Sequence, residues 1–237
     1  MRISDASVSF RGLKTQNTML PYPIFLNVAG LRCVVVGAGP VAQRKAQGLL
    51  SAGAAVTVVA PEATPRVELL AVEGKLQWLA EVYQPAHLDG ARLVFAATDD
   101  AELNQRIAAD ARSRGALVNV AEPPEAGDFA APAAVKRGGI CIAVSTGGAS
   151  PALAKKLREQ IEAVVGEEYA ALAALLGGMR TTVEQRVKAQ NKRQQVYEAI
   201  LDSDALALLR EGKSEDARRR CEEIVNEFAG KPAEPTV

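Results

Sequence analysis

Histidine is almost missing from this chain of 237 residues: His87 is the only one. A metal centre built from histidines is thereby excluded, and so is any nucleophile that needs a histidine base. His87 itself lies in a polar loop before Leu88-Asp89-Gly90 and reads as a surface residue. Cysteine is scarce as well. Cys33, Cys141 and Cys221 are far apart with no C-x-x-C pair, so neither a zinc knuckle nor a redox dithiol is encoded, and the apolar runs around Cys33 and Cys141 predict buried thiols. Neither sign of charge prevails. With 28 basic against 28 acidic residues, the broad positive field of a nucleic-acid-binding protein is lacking, and any anion site must be local. No apolar run is long enough to cross a bilayer, and the N-terminal stretch has no signal-peptide core. The expectation is a cytoplasmic protein without nucleic-acid or membrane partners.

What the chain does have is glycine in a telling place. Val34-Val35-Val36 is a β-branched run that ends in Gly37-Ala38-Gly39-Pro40-Val41-Ala42, and Val41, Ala42, Ala46, Leu49 and Leu50 share one helical face. This predicts strand, tight turn and helix. Gly37 permits the sharp reversal, Gly39 has no side chain to keep a pyrophosphate off the backbone, and Ala42 lets helix and strand pack closely. The helix start adds unpaired N–H groups and a partial positive charge. A second β-branched run, Val56-Thr57-Val58-Val59-Ala60, follows at βαβ spacing, with Gly53 ending the helix between them. Together these predict a dinucleotide site formed by Gly37, Gly39, Pro40, Val41 and Ala42.

The other elements take their places around that unit. Residues 1–18 are polar and aperiodic and are expected to be disordered, with Met19 an alternative start. Pro61 and Glu62 follow the second strand, where such folds hold the adenosine ribose; Glu62 either binds the ribose or caps the short helix at 67–72. Arg66 is the one cation seen nearby for a 2′-phosphate, which favours NAD. Residues 76–82 predict a third strand. Leu93-Val94-Phe95-Ala96-Ala97 predicts a buried strand, with Thr98 or Asp99 capping the helix 100–114 while also facing the cofactor. Ala116-Leu117-Val118-Asn119-Val120 leads into Ala121-Glu122-Pro123-Pro124-Glu125, which puts a carboxylate at the crevice edge, in place for proton transfer.

Beyond residue 128 two further strands are expected, at 129–133 and 139–144, joined by a hairpin turn over Lys136-Arg137-Gly138-Gly139. Ser145-Thr146-Gly147-Gly148-Ala149-Ser150-Pro151 then opens a helix with Leu153, Leu157, Ile161 and Val164 on one face. Its glycines and hydroxyls exceed the needs of a cap and predict a second anion cradle, at Ser145, Thr146, Gly147, Gly148 and Ser150. From Glu167 the chain reads as helical with a break at Gly177-Gly178. Arg180, Arg186, Lys188, Lys192 and Arg193 then outnumber Glu184, a candidate surface for an acidic ligand. Two short helices are expected from Asp202 to Gly230, with 231–237 fraying.

In this order the motifs resemble the precorrin-2 dehydrogenase family, which includes the N-terminal part of sirohaem synthases and the dehydrogenase–ferrochelatases. The resemblance spans about 20–180. It rests on Pro23-Ile24-Phe25-Leu26, on Val36 to Ala42 with Arg44-Lys45, on Ala96-Ala97-Thr98-Asp99-Asp100 with Asn104, on Asn119-Val120, and on Val144 to Pro151. It implies an α/β fold: a Rossmann-like parallel sheet at 19–128, a small β+α dimerisation region at 129–178 and a helical C-terminal domain at 179–237. It further implies NAD-dependent conversion of precorrin-2, a tetrapyrrole with eight carboxylates, to sirohydrochlorin in a homodimer. Where the family commonly has Asn-Val-x-Asp this chain has Asn119-Val120-Ala121-Glu122, so Glu122 inherits the general-base position, with Asp128 as a nearby substitute. Fe2+ insertion is a second activity the pocket could host, because a carboxylate can take pyrrole protons, although no metal-ligand cluster is encoded. The competing class is a non-enzymatic NAD-sensing module, which would share only the first half. On the dehydrogenase reading, the two anion grips face one cavity with an acid between them.

Overall fold

The computed structural model describes residues 22–229. The stretch 1–18, expected to be disordered, and the end at 231–237, expected to fray, lie outside the described residues. The chain divides into two compact units between Ala131 and Pro132.

The first unit is built on five short strands: β1 (Arg32–Val36), β2 (Ala55–Val59), β3 (Gln77–Leu79), β4 (Leu93–Ala96) and β5 (Leu117–Val120). All pair in parallel in the order β3-β2-β1-β4-β5, so the strand order reverses between β1 and β4. The expected Rossmann-like sheet is present. Three helices connect the strands: α1 (Pro40–Ser51), α2 (Pro65–Val72) and α3 (Ala101–Ser113). The β-branched runs are apolar on both sides because both faces are covered. On one face Val35, Val58 and Phe95 pack on Ala42, Ala46 and Leu49 of α1 and on Val67 and Leu70 of α2. On the other, Val34, Val94 and Val118 pack on Ile107, Ala108 and Ala111 of α3.

The second unit begins with an antiparallel hairpin, β6 (Ala133–Arg137) and β7 (Ile140–Val144). The strand expected at 129–133 is not formed. Phe129 is instead held in the first unit, edge-on to Phe95 with ring centroids 5.4 Å apart, and Lys136 and Arg137 belong to β6 while Gly138 and Gly139 make the turn. Helices α4 (Pro151–Val164), α5 (Glu167–Arg186), α6 (Gln190–Leu201), α7 (Ala205–Arg210) and α8 (Ser214–Ala229) follow. Their core is formed by Leu172, Met179, Val183, Val196, Ile200, Cys221, Ile224 and Val225.

Two expectations fail here. α5 runs unbroken through Gly177 and Gly178, so the division expected at 178/179 falls inside a helix. Glycine costs a helix about 1 kcal/mol relative to alanine, and burial of Leu172, Met179 and Val183 on the same helix outweighs that. The apolar face of α4 is open: Leu153, Leu157 and Val164 are exposed. Cys141 is exposed as well, because β7 alternates between half-buried and exposed positions, whereas Cys33 and Cys221 are buried. Among the described residues no helix is long and apolar enough to cross a membrane.

Candidate functional site

The carboxyl ends of the strands in an open α/β sheet border a crevice at the point where strand order reverses. Here that crevice measures about 1130 Å³ and is lined by the ends of β1, β2 and β5 and by the loops after β1, β2, β4 and β5. The volume slightly exceeds the roughly 300–1,000 Å³ that small-molecule sites span, enough for a dinucleotide.

Gly37, Ala38, Gly39, Pro40 and Val41 form one wall. Gly37 has φ +102°, and a side chain there would collide with the backbone carbonyl of Ala97, so only glycine fits between β1 and β4. Gly39 differs. Its φ is −72° and an added Cβ would meet nothing, so the missing side chain leaves open space where a ligand would approach. Gly39 is also the N-cap of α1 and offers no side-chain hydrogen bond, whereas Thr64 caps α2 and Asp100 caps α3. The first-turn N–H groups of Val41 and Ala42 therefore point away from the helix with no capping acceptor. This wall fits the diphosphate of a dinucleotide. Ala42 is buried behind it, packed on the sheet.

Pro61 and Glu62, after β2, line the same crevice. Glu62 does not cap α2, since Thr64 Oγ1 accepts from Val67 N, and its carboxylate is left for the crevice. Arg66, expected as the nearby cation, is not among the lining residues, whereas Arg44 and Lys45 are. Thr98 and Asp99 also line it, but neither caps α3. Asp100 does, its Oδ1 accepting from Glu102 N and Leu103 N. The Thr98 hydroxyl donates to Asn104 Oδ1 at 2.8 Å, so Thr98 contributes by position more than by a free hydroxyl.

Asn104 is fully buried on α3 and ties two loops together. Its Oδ1 accepts from Thr98 N at 3.1 Å, and its Nδ2 donates to Thr98 O and Glu122 O, each at 3.1 Å. The segment carrying Glu122 is thus fastened to the segment after β4. Glu122 lines the crevice. Asp128 does not serve as a substitute: Oδ1 is ion-paired with Arg112 at 2.7 Å and Oδ2 accepts from Val118 N at 3.0 Å, so both oxygens hold β5 to α3. Tyr83 is buried at the crevice edge with its hydroxyl 2.9 Å from Asp110 Oδ2. Burial, then that hydrogen bond, pushes the phenol above its usual range and keeps its proton in place.

Lys45, which the motifs contain without assigning it a role, also lines the crevice. Its Nζ donates to Asn119 Oδ1 and lies 5.3 Å from the centroid of the Phe95 ring. Burial, with Arg44 beside it, lowers its pKa. Position three after Ala42 in the helix was the available signal, since it places the side chain at the edge of the sheet-facing stripe. His87 is likewise half-buried, not a surface residue. Nδ1 accepts from Gln84 N and Nε2 donates to Glu81, which closes the turn at 85–88.

In the second unit the Ser145–Ser150 loop spends its hydroxyls on itself. Ser145 Oγ accepts from Gly147 N, Thr146 Oγ1 bridges the backbone N and O of Ser150, and Ser150 Oγ caps Leu153 N. Local turn closure accounts for all three, contrary to the expected surplus. Gly147 and Gly148 have positive φ, and a Cβ on Gly148 would meet nothing, so exposed backbone remains on offer. The expected basic stretch is also partly used. Arg193 donates to Val187 O and Lys188 O, Arg180 pairs with Glu184, and Arg186 donates to Asn226.

Comparison with known proteins agrees with this layout. Residues 24–133 match an NAD(P)-binding domain model, 137–163 the sirohaem biosynthesis protein central model, and 168–224 the sirohaem synthase dimerisation region. The chain is 41% identical over 204 residues to the siroheme synthase of Chromobacterium violaceum, covering 86% of this chain and 43% of that one. Siroheme synthase 1 of Aeromonas salmonicida is 38% identical over 213 residues, covering 90% and 46%. The chain thus spans less than half the length of these curated relatives. A solved structure, SirC, precorrin-2 dehydrogenase, superposes with a TM-score of 0.72 at 27% identity, covering 86% of this chain and all of that one.

Proposed function

Since this chain belongs to the family of sirohaem synthases and precorrin-2 dehydrogenases, we propose that it dehydrogenates precorrin-2 to sirohydrochlorin at the crevice of its first unit. The observation that carries the reading is the open, uncapped Gly39 wall bordering the same crevice as Glu122. A bound nicotinamide dinucleotide supplies the hydride acceptor. Val41 and Ala42 N–H groups would hold its diphosphate, and Glu62 would take the ribose hydroxyls. A carboxylate there repels a 2′-phosphate, which favours NAD over NADP. Loss of two hydrogens from the macrocycle is balanced as one hydride to the nicotinamide and one proton to the Glu122 carboxylate. Asn104 holds the Glu122 backbone while this happens.

The eight carboxylates of the substrate require positive or N–H-rich partners, which supports Ser145, Thr146, Gly147, Gly148 and Ser150 as a second grip through their backbone. A homodimer is supported by the match to a dimerisation region and by the exposed Leu153, Leu157 and Val164, apolar surface that a second copy would cover. Iron enters only as a substrate. Among the described residues no group of three or more His, Cys, Asp or Glu could hold a metal, so chelation would fall to Glu122 as acceptor of pyrrole protons. Glu122→Gln tests the assignment. It is expected to lower kcat by about a hundredfold or more, the usual weight of a general base, with NAD affinity unchanged; an unaltered kcat would remove Glu122 from the mechanism. Ferrous iron added after sirohydrochlorin has formed reads out chelation in the same cuvette.

A further inference from the structure

Lys45 carries a charge that neither the fold nor the glycine loop accounts for. It stands on α1 and lines the crevice together with Gly37, Gly39 and Glu122. Its two neighbours are a neutral amide, Asn119, and the face of Phe95. Both orient an ammonium without neutralising it. Among the described residues no carboxylate pairs with Lys45. An ammonium that is partly withdrawn from water normally has an anion beside it, because the desolvation cost is otherwise uncompensated. The cost is visible here as a pKa held below the ordinary lysine value by burial first and by Arg44 second. Of its three N–H groups, one is spent on Asn119.

A purely structural tie between α1 and β5 would not need a charge, since an uncharged side chain of similar length spans the same gap without the penalty. We infer that Lys45 is an anion-binding residue of the crevice, completed by a carboxylate or phosphate oxygen of a bound molecule. The inference rests on the reading that the crevice takes a dinucleotide and a polycarboxylate tetrapyrrole, and these are the two sources of such an oxygen. The amide of Asn119 is itself fixed by donating to Phe129 O at 2.8 Å, so the ammonium is held in one place before any ligand arrives.

The test uses the full chain carrying Lys45→Met and, separately, Lys45→Arg. NAD binding is measured by calorimetry and sirohydrochlorin binding by fluorescence titration, with circular dichroism to confirm the fold. Lys45→Met is expected to weaken one ligand by about tenfold or more, the scale of a lost hydrogen bond to a charged group, while Lys45→Arg retains most of the affinity. Loss confined to NAD assigns the diphosphate; loss confined to sirohydrochlorin assigns a substrate carboxylate. A folded Lys45→Met that binds both ligands like the native chain overturns the inference. Should Lys45→Met not fold, Lys45→Gln, which keeps an N–H for Asn119, is measured in its place and judged by the same outcomes. If the native chain binds NAD but no tetrapyrrole, the proposed function fails, and the NAD titration still judges Lys45.

Discussion

Asn104 shows how much one amide can fix. Its side chain, itself buried, serves Thr98 N, the Thr98 hydroxyl, Thr98 O and Glu122 O in a part-buried cluster. Asn104→Ala leaves part-buried polar groups without partners and is expected to cost about 2–4 kcal/mol, from a per-group penalty of about 1–3 kcal/mol. Urea unfolding measures it, and a loss below about 1 kcal/mol would contradict the network described. Burial also sets the chemistry of the thiols. Cys33 and Cys221 are withdrawn from solvent, and burial pushes both above the ordinary thiol range, Cys33 against a smaller opposing effect of a backbone hydrogen bond from Leu93. Since the thiolate is the reactive form, both should resist a thiol reagent at neutral pH until the chain unfolds. Labelling of either in the native protein would show that the cores are looser than the structure has them.

The two glycines of the first turn separate fold from function. Gly37→Ala puts a side chain at φ +102° against the Ala97 carbonyl and should destabilise by several kcal/mol, about 1–3 from backbone strain and the rest from the collision. Gly39→Ala has ordinary backbone angles and open space, so its melting temperature should match the native chain while NAD affinity falls by about tenfold or more. Equal stability loss in both, or unchanged NAD affinity in Gly39→Ala, would contradict the assignment of that wall. This turn was legible from the sequence because glycine, β-branched strand and helical stripe are all local signals. So were β1, β2, β4 and β5. Signals that depend on tertiary contact were not. Thr98 and Asp99 read as the caps on paper, and only the geometry after β4 selects Asp100 instead. Gly177-Gly178 is a break by propensity, and core packing along α5 overrides it. Phe129 looks like strand, but its ring finds Phe95 first. Lys45 is an unremarked helical lysine until Asn119 and Phe95 are brought beside it.

At the level of the whole chain, each unit has its own core: two layers around the sheet in the first, and the α5, α6 and α8 bundle in the second. Residues 22–131 alone should therefore fold and bind NAD without turning over precorrin-2; failure to bind NAD would show that the cofactor site needs the second unit. The most direct measurement is an anaerobic incubation of the purified full chain with precorrin-2 and NAD, following NADH and sirohydrochlorin together. The account predicts one NADH formed per sirohydrochlorin, with both signals falling in step in Gly39→Ala and Glu122→Gln. A folded chain that binds NAD and leaves precorrin-2 unchanged would contradict it.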